Sequence, residues 1–106
     1  MRIILDEGLP QQLKSAIPGH EVKTVPELGC AGVRNVDLIH YLSEHGCDVF
    51  VTTSRNLAPM MGMAGTKITV VILDTKSNRF SALEPLIPKF REILEKPRPG
   101  QSVLLK

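Results

Sequence analysis

Two stretches of this chain are apolar at almost every position: Val49-Phe50-Val51 within residues 48–53, and Val70-Val71-Ile72-Leu73 within residues 68–73. A strand with one face in water alternates apolar and polar residues, whereas a near-continuous apolar run has to be covered on both faces. That requirement points to a mostly parallel sheet with helices on either side. Arg2-Ile3-Ile4-Leu5 reads as a further buried strand, and His20 to Val25 alternates as a strand should.

The segments between these strands carry helical spacing. Leu9, Leu13, Ala16 and Ile17 share one helical face, with Pro10 early enough to be tolerated and Pro18-Gly19 as a stop. Leu38, Ile39 and Leu42 form the inner face of a second helix, with Asn35 as N-cap and Gly46 as its C-terminal stop. Ser81 with Glu84 reads as a capping box for a last helix whose stripe is Leu83, Leu86, Ile87, Phe90 and Leu94; Pro85 could instead take the first helical position. Residues 54–66 read as irregular, with Met60, Met61 and Met63 either a flexible apolar surface or a loop folded over the core. Ser102 to Leu105 reads as a short edge strand. The alternation predicts an α/β fold, a three-layer sandwich with a mostly parallel central sheet, in one domain over residues 1–106.

In right-handed βαβ units, each strand's end and the next helix's start lie on one edge of the sheet, where open α/β sheets bind their ligands. Asp6 and Glu7 follow the first strand, Asp37 opens the second helix, Ser54, Arg55 and Asn56 follow the third strand, and Asp74 follows the fourth. Asp48, His20 and Lys67 precede strands and belong to the opposite edge. Converging carboxylates suit a hard divalent cation such as Mg²⁺ or Mn²⁺, which activates water and neutralises phosphodiester charge. The competing reading is that Asp6 or Glu7, and Asp37, serve only the N-termini of their helices. Arg34, Arg55, Lys76 and Arg79 ring the same edge, either as phosphate contacts or as solvated charge.

Composition narrows the classes further. Aromatic residues make up 4% with no Trp, which weighs against a base-stacking platform. A net charge of +2 permits a polyanionic partner without requiring one. Cys30 and Cys47 have neither disulfide-framework nor metal-type spacing and read as buried, reduced thiols. No segment is long or apolar enough to span a membrane, and the start lacks signal-peptide character, so a cytoplasmic location is expected.

The opening Ile4-Leu5-Asp6-Glu7-x-Leu9-Pro10 is followed by Gly19-His20-Glu21-Val22 and by Glu27-Leu28-Gly29-x-x-Gly32. Together with the helix carrying Asp37, the strand Asp48-Val49-x-Val51-Thr52 with its sequel Arg55-Asn56-Leu57, and Val70-Val71-Ile72-Leu73, this order resembles the small PIN-like domains of bacterial toxin–antitoxin loci. The resemblance covers nearly the whole chain. It implies a PIN-like α/β sandwich, a metal-dependent ribonuclease site, RNA as substrate, an antitoxin protein as partner and, as in many small domains of this type, pairing as a homodimer. By position, Asp6 and Glu7 would be metal-site acids and Asp37 the acid opening the second helix. Arg55, Asn56, Arg34 and Arg79 would contact RNA.

Two departures stand out. The family usually follows its third strand with Thr-x-Asp-Arg-Asn, but here the aspartate position is Ser54, and a neutral hydroxyl is a much poorer Mg²⁺ ligand than a carboxylate. Asp74 could compensate from the neighbouring strand, or it could simply begin a turn through Asn78. Gly8 stands where the family often has Asn. The sequence thus predicts an endoribonuclease, with a catalytically impaired binding module as the alternative. A phosphoacceptor receiver domain shares the acidic pair but requires an aspartate where this chain has Ser54.

Overall fold

The computed structural model describes residues 1–30, 32–33, 35–53 and 66–106. Strands β1 (Arg2–Leu5), β2 (Glu21–Thr24), β3 (Val49–Thr53), β4 (Thr69–Leu73) and β5 (Ser102–Leu105) form one sheet in the order β2-β1-β3-β4-β5. Every pairing is parallel, with Ile4 opposite both Lys23 and Phe50, and Val71 opposite both Val51 and Val103. This is a doubly wound order, and its direction reverses between β1 and β3.

Alternation along the strands divides the core into two layers. Ile3, Leu5, Val49, Val51, Val71 and Leu73 pack against Leu13 of helix α1 (Gln12–Ala16) and against Phe90 and Leu94 of α4 (Ile87–Glu95). Ile4, Phe50, Val70 and Ile72 pack on the other face against Leu38, Ile39 and Leu42 of α2 (Asn35–Glu44). The β3 and β4 runs are apolar on both sides because both sides are covered; all five residues of β4 are buried. The α/β fold expected from the sequence is thus present as an all-parallel sheet between helical layers.

Local chemistry accounts for the element ends. α1 is shorter than its apolar stripe suggests: Leu9 and Pro10 precede it as a turn, yet Leu9 still joins Leu13 and Ile17 in the core. Gly46, at φ +78°, terminates α2 in a Schellman motif, in which Cys47 N–H bonds Leu42 O at 3.0 Å and Gly46 N–H bonds Ser43 O at 3.4 Å. The last helical segment departs from expectation. α3 (Phe80–Leu83) starts before Ser81 and its N-cap, Arg79, makes no side-chain cap, so the Ser81/Glu84 box does not form. Pro85 sits instead in a 3₁₀ turn over Glu84–Leu86 that joins α3 to α4, where its missing N–H removes a bond from the ladder. A reciprocal box forms elsewhere: Thr24 N–H donates to Glu27 Oε1 at 3.1 Å, and Glu27 N–H donates to Thr24 Oγ1 at 3.3 Å. It closes the 3₁₀ turn Pro26–Leu28 immediately after β2.

Among the described residues, no helix is long and apolar enough to cross a membrane. Cys30 and Cys47 are free and buried, as expected. Burial and the neighbouring Asp48 carboxylate push the Cys47 thiol up to about 12, so it stays protonated at neutral pH.

Candidate functional site at the carboxyl edge of the sheet

β1 does not stop abruptly at Leu5. Asp6 N–H continues the ladder to Val51 O at 2.9 Å, which fixes the backbone from which the Asp6 side chain departs. Alternation places Asp6 on the same face as Ile4, toward the α2 layer, and places Thr52 there with Phe50. The two side chains meet: Thr52 Oγ1 donates to Asp6 Oδ2 at 2.7 Å. Thr52 is 1% exposed, so this donor is held inside the sheet. Glu7 N–H donates to the other oxygen, Oδ1, at 2.8 Å. Asp6 is therefore a carboxylate oriented from two sides at the β1/β3 switch point, where doubly wound sheets bind ligands.

Asp6 to Leu9 form a tight turn closed by Leu9 N–H on Asp6 O at 3.3 Å. Gly8 takes φ +85° at its third position, as a type II turn requires. Among other residues, Asn tolerates that conformation best.

Glu7 points elsewhere. Its Oε1 accepts Gly32 N–H at 2.8 Å, tying the turn after β1 to the loop that leads into α2. The two adjacent acids thus have separate work. Asp37 lies exposed in the first turn of α2. Asp74 is half-buried past the end of β4, with its N–H on Leu105 O at 2.8 Å. The stretch it begins is a hydrogen-bonded turn, with Thr75 Oγ1 on Ser77 O at 2.7 Å and Arg79 N–H on Ser77 Oγ at 3.2 Å. Asn78 of that turn approaches Gly8, which brings exposed Arg79 to the same edge as the acids. Arg34, Ser54, Arg55 and Asn56, and the methionines at 60, 61 and 63, lie outside the described residues.

Asp6, Glu7, Gly8, Gln11, Thr24 and Glu27 line a cleft of about 330 Å³ between the β1 and β2 exits. Glu27 was not singled out by sequence reasoning, although Thr24-x-x-Glu27 before Leu28 is a legible capping signal. It pairs with Lys14, and that ammonium, aided by the Thr24 bonds, holds the Glu27 carboxyl below its usual range. Asp37 and Asp74 share the edge but do not line this cleft. Among the described residues, no three of His, Cys, Asp and Glu come close enough to hold a metal ion between them. The donor set still has a form that Mg²⁺ accepts, because Mg²⁺ commonly takes one or two carboxylates and completes its shell with water and substrate phosphate. A single rigid carboxylate with further acids on the same edge meets that requirement.

Asp48, His20 and Lys67 sit at the opposite edge. Asp48 accepts Arg2 N–H at 2.8 Å, and His20 Nδ1 is 3.3 Å from the Met1 amine. A wider groove of about 570 Å³ runs between α1 and α4, away from the acids. Comparison of the chain with family models, with curated proteins and with solved structures found no match.

Proposed function

We propose that this chain is a PIN-like endoribonuclease that depends on Mg²⁺ or Mn²⁺, acting in the cytoplasm as the toxin of a toxin–antitoxin pair. The observation that supports the reading is Asp6, a carboxylate oriented by Thr52 Oγ1 and Glu7 N–H at the carboxyl edge of the sheet. Asp6 and Asp37 would hold the cation, with Asp74 as a further acid. A bound cation would supply a water of lowered pKa and would neutralise phosphodiester charge. Thr52 holds the Asp6 carboxylate in place before substrate arrives, so none of that ordering remains to be done on binding. Glu7 ties the turn after β1 to the loop ahead of α2. Arg79, exposed beside the turn that meets Gly8, would contact the RNA backbone, with Arg34, Arg55 and Asn56 as further contacts.

Ser54 favours a second reading, a PIN-like module that binds RNA or a protein partner without cutting. The two separate in a thermal-shift and cleavage experiment with Mn²⁺ and single-stranded RNA. The nuclease reading expects Mn²⁺ to raise the melting temperature and support cleavage, with both effects lost in Asp6→Asn. If the unaltered chain shows neither effect and Ser54→Asp restores both, the binding-module reading replaces it. If Ser54→Asp is also inert, the PIN-like site itself is refuted.

A further inference from the structure

We propose that the open edge of β5 docks an extended, acidic peptide segment of a partner protein, which joins the sheet as an additional strand beside β5. Among the described residues, β5 closes one flank of the sheet and pairs only with β4. Val70 N–H reaches Gln101 O at 3.0 Å and Asp74 N–H reaches Leu105 O at 2.8 Å. In a parallel ladder alternate residues face the neighbour, so the N–H and C=O groups of Ser102 and Leu104 point away from β4. Among the described residues, nothing bonds to them from outside the ladder. Leu104 is 50% exposed on the α2 face of the sheet, and Val103 and Ile93 are partly exposed on the α4 face.

The charge along this edge is one-sided. Lys89 Nζ donates to Lys106 O at 2.9 Å, which fixes the side of α4 that faces β5. Helical spacing puts Ile93 and Lys96 on that same side, with Glu92, three residues from Lys89 and four from Lys96, at its solvent-facing border. Glu95 lies on the other flank of α4, in the cleft with Ile17, His20 and Arg91. Lys89, Lys96, Arg98 and Lys106, all exposed, thus outnumber Glu92, the one acid of α4 on this side. The opposite flank is built differently: on β2, Glu21 pairs with Arg2 at 3.1 Å and with Lys23 at 3.9 Å, a mixed-charge pattern that blunts an edge.

These features select the occupant. A strand edge offers alternating donors and acceptors that match another strand, not a phosphodiester chain, which argues for peptide over RNA. A second copy pairing through β5 would bring two basic borders together, and like charges across an interface are costly. An acidic partner strand satisfies the backbone groups, covers Leu104 and meets the lysines. The proposal is independent of the metal-site reading.

The test uses the full chain, ¹⁵N-labelled, titrated with a capped seven-residue peptide of alternating Glu and Val. The expected result is amide shifts concentrated at Ser102 and Leu104, and binding at least about tenfold tighter than for the Lys/Val counterpart, equivalent to about 1.4 kcal/mol. Lys89→Glu with Lys96→Glu, both on the surface, should reverse that preference. Leu104→Pro should abolish binding, because it removes an outward N–H. Equal binding of the two peptides, shifts centred on β2, or a charge-reversed variant with unchanged preference overturns the proposal. So does peptide-free dimerisation through β5 in sedimentation, or a single-stranded RNA that shifts Ser102 and Leu104 while the acidic peptide does not.

Discussion

Thr52→Val isolates the interaction on which the candidate site rests. Valine keeps the approximate volume and the branching of threonine inside β3 and replaces with a methyl group the hydroxyl that donates to Asp6 Oδ2 at 2.7 Å. A hydrogen bond to a charged group is worth about 1.5–3 kcal/mol net. Asp6 is half-buried, so water can take over part of the lost bond, and the low end, about 1.5 kcal/mol, is the expected cost. That is roughly a tenfold loss in the folding equilibrium constant. In a domain of 106 residues it corresponds to a fall of about 6 °C in melting temperature. Urea denaturation should show a lower midpoint with an unchanged slope, because the surface exposed on unfolding is the same. Asp6→Ala alone should cost more, since it also strands Glu7 N–H. A double-mutant cycle between Asp6→Ala and Thr52→Val therefore isolates the bond, with an expected coupling of about 1–1.5 kcal/mol. Coupling below about 0.5 kcal/mol, the ordinary limit of additivity, would refute the claim that the sheet orients this carboxylate.

Glu7→Gln keeps an oxygen for Gly32 N–H and should leave the denaturation midpoint within about 0.5 kcal/mol of the parent, whereas Glu7→Ala should lose about 0.5–1.5 kcal/mol; equal losses would contradict the loop tie. Glu27 has a folded pKa lowered from 4.5 by Lys14, so its contribution is present above 4.5 and lost as pH falls through the lowered value. Melting curves of the parent and Glu27→Gln should accordingly differ at pH 7 and converge near pH 2, and a gap that persists in acid would contradict the pairing. Thr69 Oγ1 is buried without a partner among the described residues, so Thr69→Val should stabilise by about 1 kcal/mol in urea titration; destabilisation would mean that the hydroxyl is satisfied. Cys47, with its thiol held near 12, should resist iodoacetamide at pH 8 until guanidinium unfolds the chain, as mass spectrometry would report; rapid native labelling would show that it is not buried.

The sheet was legible because burial on both faces leaves a mark at every position of a strand, as it does in Val49-Phe50-Val51 and Val70-Val71-Ile72-Leu73. Edge assignment followed from topology alone, which is why Asp48 separated cleanly from Asp6. Caps were harder to read, since the same Ser/Thr-x-x-Glu pattern occurs twice. It closes at Thr24, where β2 holds the threonine still, and fails at Ser81, where α3 has already begun at Phe80. The Asp6–Thr52 contact joins residues 46 positions apart, and no local pattern announces a pair that only β1–β3 register creates.

The same register explains why the adjacent acids do not compete. Two neighbouring carboxylates repel unless something separates or neutralises them. Here the pleat does the separating: Asp6 continues the β1 alternation toward α2 and is met by Thr52, while Glu7, one residue further and already in the turn, swings to the loop at Gly32. The positive φ of Gly8 makes that divergence possible, because the turn reverses before a second strand-like residue can follow. A sheet-held aspartate and a loop-held glutamate differ in what they can do. The first is bonded to the neighbouring strand, and the second to the loop before α2. Chemistry that needs a sheet-held charge at this edge therefore has Asp6 to use.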